Sequence, residues 1–225
     1  MDVYVPKDVF LPTFTSILCI KAAQAIIKND SVVLDLGCGS GVVGIALAKY
    51  LSVKTPVFAS DVSNAAVDVA RDNFELNGIL ADIRVGSVFE PWLEMRFDYV
   101  MDDVSGIAED VATLSPWFAN NIPCATGPDG AELTLRVIEE ASSFLSGKGG
   151  LFIPVISLSN KELILTAARA RFAEVKMSAS KTWVLPDEMR IHVEQLRNIR
   201  DEGRISFEER FGAILCSTEI YYCSN

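Results

Sequence analysis

Histidine is almost absent from this chain, which has one, His192, in 225 residues. No Ser-His-Asp or Cys-His pattern and no His-Glu-X-X-His run surrounds it, so His192 reads as a helix-surface residue and a histidine base is not expected. Cysteine is present but unpaired in pattern. Cys19, Cys38, Cys124, Cys216 and Cys223 are odd in number, widely spaced and without a Cys-X-X-Cys pair, which speaks against a disulfide framework or a zinc site. They read as buried thiols packing as small hydrophobes, and no protein-bound metal is expected. Positive charge is in short supply: 20 Lys and Arg face 30 Asp and Glu, a net charge of −10, so a nucleic-acid backbone would meet a repulsive field. Apolar runs such as Leu151 to Leu158 are far too short to cross a bilayer, and the Met-Asp-Val-Tyr-Val start lacks a basic stretch followed by an apolar one. A cytoplasmic location without a membrane partner is expected; the oligomeric state is left open.

Hydrophobic residues make up 50% of the chain and charged ones 22%, the composition of a globular protein. A single domain over 1–225 is expected, of the α/β class, because short apolar runs alternate with stretches of helical period. Strands are placed at Val32–Leu36, Pro56–Ala59, Ile83–Val85, Phe97–Met101 and Leu151–Ile156, with a final one near Ala213–Tyr222. Ser63 caps a helix carrying Val67, Ala70 and Phe74 on one face, and Gly78 stops it. Asp129 precedes a helix with Leu133, Val137, Ala141 and Leu145. Ser159 with Glu162 forms a capping box before the helix around Leu163 to Ala170, and Gly147-Lys148-Gly149-Gly150 is read as a turn. Residues 1–30 form an extended segment and a helix, Phe14 to Ile27, covering the cofactor side. Residues 186–203 form an inserted amphipathic helix opened by Pro186, with Met189, Val193, Leu196 and Ile199 on one face.

The chemistry concentrates in Val32-Val33-Leu34-Asp35-Leu36-Gly37-Cys38-Gly39-Ser40-Gly41-Val42-Val43-Gly44. A buried strand runs through alternating glycines into a helix, a turn whose backbone amides approach a nucleotide-like ligand. Gly39-X-Gly41-X-X-Gly44 also satisfies the dinucleotide fingerprint, with Asp61 where a ribose-binding acid belongs. Asp35 separates the two classes, since a carboxylate at the strand end suits a cationic ligand better than a pyrophosphate. Tyr50-Leu51-Ser52-Val53-Lys54 matches a dehydrogenase pattern only by chance, lying in the wrong part of the chain.

The run Asp35 to Gly41 resembles the first motif of the class I S-adenosylmethionine-dependent methyltransferases. Ala65 to Gly78, Gly127-Pro128-Asp129-Gly130 and Tyr4-Val5-Pro6-Lys7 are similar to segments of the release-factor glutamine N5-methyltransferases, so the resemblance covers about residues 3–180. It implies a Rossmann-like, mostly parallel seven-stranded sheet with helices on both faces and an extra helix before the last strand. The resemblance also implies S-adenosyl-L-methionine as cofactor, S-adenosyl-L-homocysteine as product, and a cofactor site of Asp35, Gly37, Cys38, Gly39, Gly41, Asp61, Val62, Ser87, Val88 and Asp102. Where that family carries Asn-Pro-Pro-Tyr, this chain has Asp103-Val104-Ser105-Gly106, and Ser87 stands where an acid would accept the adenine amino hydrogens. Asp103 becomes the candidate catalytic residue, able to take a proton from an N or O acceptor on a small molecule or protein side chain. Pro6 is a candidate for the substrate side, with Trp117 and Phe118 as candidates for the flat wall that Gly106 lacks. Nucleic acid is disfavoured as acceptor. The alternatives are a Rossmann-type NAD(P)-dependent oxidoreductase, without an evident proton donor, and a protein that binds S-adenosylmethionine silently or uses it without methylating.

Overall fold

The computed structural model describes residues 1–118 and 122–225. In chain order the elements are α1 (Phe14–Gln24), β1 (Val33–Leu36), α2 (Val42–Leu51), β2 (Val57–Asp61), α3 (Asn64–Leu76), β3 (Ala81–Val85), β4 (Phe97–Asp102), α4 (Glu109–Leu114), α5 (Glu132–Ala141), β5 (Leu145–Ile156), α6 (Lys161–Arg171), β6 (Glu174–Val184), α7 (Asp187–Arg190), α8 (Val193–Asp201), β7 (Glu208–Arg210) and β8 (Ala213–Ser224). The main sheet path runs β3-β2-β1-β4-β5-β8-β6, with β7 paired to β8. β1 pairs in parallel with β2 and β4, whereas β8 runs antiparallel to both β5 and β6. This is the expected α/β sheet, seven strands on the path plus the short β7.

The central strands are mostly apolar because both of their faces are covered. Val33, Leu34 and Leu36 are wholly buried, as are Val100, Met101, Leu151, Phe152 and Ile153. One core layer holds α1, α2 and α3 against the sheet through Cys19, Leu47, Val67 and Phe74; the other packs Phe89, Trp92, Phe97 and Ile138 on the opposite face. Each such side chain contributes about 1.5–3 kcal/mol by leaving water. The helix starts follow local chemistry: Ser63 Oγ accepts from Ala66 N at 3.3 Å, and Gly78 ends α3 with φ +65°.

Several boundaries differ from the sequence reading. The helix α1 stops at Gln24. Asn160, not Ser159, caps α6, its Oδ1 accepting from Leu163 N at 3.1 Å, while Ser159 Oγ donates to Ile156 O. Gly147 to Gly150 is no turn: α5 ends at Ala141 and the glycines lie inside β5, where the pairing with β4 shifts register. A Cβ on Gly150 would overlap the Tyr222 ring, so this strand needs the glycine for close packing. The segment 186–203 forms two helices, α7 and α8, broken at Ile191 and His192. Met189, Leu196 and Ile199 are buried beside Ile107 and Val111, so both helices pack on the core next to α4. His192 sits at the start of α8, its Nδ1 3.0 Å from Gln195 Oε1.

Candidate active site

The parallel strands β1, β2 and β4 end side by side, and the chain order reverses there: from β1 it moves outward to β3, then returns to β4 on the other side of β1. Open α/β sheets place ligands at such a switch point, outside the carboxyl ends of the strands. Here the loop Gly37–Gly41 turns over the strand ends with its three glycines at φ +70°, +51° and +80°. Gly37 N and Cys38 N both donate to Ser60 O, fastening the loop to β2. A Cβ on Gly37 would stand 2.7 Å from Val104 Cα and 2.9 Å from Asp103 O, so glycine is what lets the chain after β4 lie against the loop. Gly39 is different: the nearest atom to a Cβ there is Phe10 O at 3.9 Å, and the residue faces an open cavity.

That cavity has a volume of about 440 Å³. Gly37, Cys38, Gly39, Asp61, Val62, Ser87, Val88 and Asp103 all line it, as do Trp117 and Phe118. Asp35, Gly41 and Asp102 stand behind the wall, and Pro6 lies outside it, accepting from Val9 N. Asp35 Oδ2 accepts from Gly44 N at 2.9 Å, tying the end of β1 to the first turn of α2. Asp61 accepts from Gly39 N through Oδ2 and from Ser63 N through Oδ1, each at 2.9 Å, which uses two of its roughly four lone-pair positions. Ser87 Oγ accepts from Arg136 at 3.2 Å, and its backbone N donates to Glu90. Val88 has φ +51°.

The N-terminal segment closes one side. Asn73 on α3 accepts from Tyr4 N at 2.8 Å and donates to both Tyr4 O and Ser40 O, so one buried amide joins α3, the segment and the glycine loop. Asn77 holds Asp2 in the same way. From there the segment runs along the cavity, to which Asp8, Val9, Phe10 and Phe14 all contribute. Sequence spacing gave no sign of Ser16, in the first turn of α1, whose hydroxyl donates to Asp103 Oδ2 at 2.8 Å across 87 residues. Trp183 on β6 and Thr218 on β8 were missed as well; they line the cavity and are joined by a 3.0 Å bond from the indole N–H to the threonine hydroxyl.

The electrostatics are one-sided. Three aspartates, Asp8, Asp61 and Asp103, line the cavity, and among the described residues no lysine, arginine or histidine does. Burial raises the carboxyl pKa of Asp35, with Asp103 adding to it, and likewise raises Asp61 against the bonds from Ser63 and Gly39. Burial pushes Asp102 up to about 8, and Asp103 to about 7 despite the bond from Ser16. Asp35 Oδ1, Asp102 Oδ2 and Ser40 Oγ are buried without a hydrogen-bond partner. Such a set fits a cationic ligand and repels an anionic one.

These groups give the ligand-free chain a distinctive pH dependence. An unfolded aspartate titrates near ~4, so between there and the raised values the native chain holds protons that the unfolded chain has released. Stability is expected to fall as pH rises from about 4 to about 8, by at least roughly 1–3 kcal/mol for Asp102. Thermal unfolding across that range checks it: Asp102→Asn should flatten the slope, and an unchanged slope in that variant would contradict the assignment.

Comparison with known proteins adds sequence kinship. The family described as Ribosomal protein L11 methyltransferase (PrmA) matches residues 13–122. A ribosomal protein L11 methyltransferase of Caldicellulosiruptor bescii is 37% identical over 101 residues, covering 45% of this chain and 32% of that protein. A release factor glutamine methyltransferase of Geobacter sulfurreducens is 28% identical over 169 residues, covering 73% of this chain and 59% of that protein. The chain therefore spans less than two thirds of the length of these curated relatives. Among solved structures, a ribosomal protein L11 methylase from Lactobacillus delbrueckii subsp. bulgaricus shares the fold, with a TM-score of 0.57 and 17% identity over 98% of this chain and 84% of that one.

Proposed function

We propose, from its similarity to ribosomal protein L11 and release factor glutamine methyltransferases, that the chain is a class I S-adenosylmethionine-dependent methyltransferase that transfers a methyl group to an N or O acceptor on a small molecule or protein side chain. The observation that carries this reading is the cavity around the glycine loop, whose charged lining residues, among those described, are all acidic. A ligand bearing an ammonium and a sulfonium offsets the buried carboxylates, whereas the pyrophosphate of a dinucleotide would add negative charge to them. The oxidoreductase alternative has no support in that setting. Among the described residues no helix is long and apolar enough to cross a membrane.

Bound S-adenosylmethionine supplies a methyl carbon made electrophilic by the adjoining sulfonium, so the protein needs chiefly to align, desolvate and take up a proton. Asp61, with lone pairs to spare, receives the two ribose hydroxyls while fixing Gly39 and Ser63. Gly39, Cys38 and Gly37 present backbone to the amino-acid part, with Asp35 holding the loop from behind through Gly44 N. Val62, Ser87 and Val88 flank the base, and Asp102 contributes field from beneath the wall. Ser16 holds Asp103 Oδ2, leaving Oδ1 to accept a proton from the attacking atom. The close fit of Gly37 against Val104 keeps that carboxylate at a fixed distance from the cofactor loop.

A thermal-shift titration with S-adenosylmethionine, S-adenosylhomocysteine and NAD(H) tests the reading. At a ligand concentration near 100 Kd the native state gains ~2.7 kcal/mol. That corresponds to a rise of roughly 5–10 °C in Tm for a chain of this size. A saturable shift with the adenosyl ligands and none with NAD(H) is expected; the reverse would overturn the proposal.

A further inference from the structure

The strand order divides the cavity into two parts. Asp61 ends β2, Gly86 to Val88 follow β3 and the glycine loop follows β1, so the proposed cofactor site lies over one half of the sheet. Pro154 and Ile156 on β5, Thr218 on β8 and Trp183 on β6 belong to the other half, with Asp103 at the boundary after β4. Five aromatic residues from three distant segments wall that second half: Phe10 and Phe14, Trp117 and Phe118, and Trp183. They interlock, the Phe10 and Phe118 rings at 5.1 Å and the two indoles at 5.9 Å and 74°. Lys181, whose ammonium packs 3.6 Å from the Phe14 ring centroid, does not itself line the cavity.

We propose, building on the methyl-transfer reading, that this second half takes a small arylalkylamine as methyl acceptor, its ring held between the aromatic walls and its nitrogen at Asp103. An amide acceptor carries no positive charge, so it gains little from the lining carboxylates and the ring faces. An acid or phosphate ester would bring an anion into a lining that, among the described residues, holds three carboxylates and no cation. An amine meets neither objection, because its N–H groups donate to Asp103 and its positive form is attracted both to that carboxylate and to the ring faces. In the transfer, the bound ammonium first gives one proton to Asp103, which frees the nitrogen lone pair; that pair forms the new N–C bond as the methyl–sulfur bond breaks with its electron pair staying on sulfur, and the product leaves as a secondary ammonium.

The test is binding to the S-adenosylhomocysteine-loaded protein, followed by calorimetry and by quenching of tryptophan fluorescence. The probes are tryptamine and 2-phenylethylamine against indole-3-acetate and N-acetylglutaminamide. The amines should bind at least about tenfold more tightly than either comparison probe, a difference of ~1.4 kcal/mol. Trp183→Ala should weaken tryptamine by about tenfold without altering S-adenosylhomocysteine affinity, and Trp183→Phe, which keeps a ring, should recover most of it. Equal or tighter binding of indole-3-acetate or N-acetylglutaminamide overturns the amine assignment. So does S-adenosylhomocysteine binding with no amine bound, in which case methyl transfer itself stands. Failure to bind S-adenosylhomocysteine at all removes the reading on which the assignment rests.

Discussion

Asp103→Ala is expected to lower turnover by about 10²–10⁴-fold, the range for removing a positioned proton acceptor, while S-adenosylhomocysteine affinity stays within about threefold. The carboxylate stands on the cavity side of the chain after β4, outside the glycine loop, and accepts a hydrogen bond from the Ser16 hydroxyl. Its loss leaves the Asp61 and Gly44 bonds of the loop intact. Asp103→Asn keeps the shape and the bond to Ser16 but cannot take the proton, so it should fail nearly as badly. Its failure would separate proton uptake from simple space filling. Steady-state kinetics beside calorimetry decides the matter: normal turnover in Asp103→Ala would remove Asp103 from the chemistry.

Asp61→Ala is expected to weaken S-adenosylhomocysteine by ~10²-fold or more and to cost roughly 1–3 kcal/mol of stability. Two backbone donors, Gly39 N and Ser63 N, lose their partner at once, and both ribose hydroxyls lose theirs. Hydrogen bonds to a charged group contribute about 1.5–3 kcal/mol each, so losing two ligand bonds accounts for the affinity change even with partial rescue by water. Calorimetric titration should therefore show a large rise in Kd, with Asp61→Asn between the two. Unchanged affinity in the alanine variant would mean that the cofactor does not lie over β2.

Sequence pattern was enough to place β1, β2 and β4 because each is largely buried, which leaves a mostly apolar run with an acid at or next to its end. The β6 strand was passed over for the opposite reason: Glu174-Val175-Lys176-Met177 lies on the sheet edge, mostly exposed, and its composition follows solvent more than the core. The β7 strand, three charged residues, carries no apolar signal at all. The helical period over 186–203 was real, yet Ile191 and His192 break it, since α7 and α8 each follow the surface of a common core. At the site, the glycine loop and Asp61 are local patterns and therefore legible. Asp35 was legible as a residue but not in its place, for it braces the loop from behind. The bond from Ser16 to Asp103 and the gathering of five rings depend on tertiary closure, which no spacing rule encodes. The likeness to release-factor methyltransferases was drawn from Ala65 to Gly78, Gly127 to Gly130 and Tyr4 to Lys7, and ribosomal protein L11 methyltransferases stand beside them among the relatives.

The placement of β8 has a consequence for biosynthesis. It comes later in the sequence than every strand it joins, yet it lies inside the sheet, between β5 and β6, with Ile220 and Cys223 wholly buried. While the chain is being translated, β1 to β5 can assemble in order, but β5 keeps one unpaired edge and β6 has nothing to pair with until β8 emerges. For that interval a nascent chain displays a hydrophobic strand edge, the kind of surface that pairs with other chains or recruits chaperones. A premature stop anywhere before β8 would make that interval permanent. Such a truncation should yield aggregated protein even though the glycine loop, Asp61 and Asp103 had all been translated.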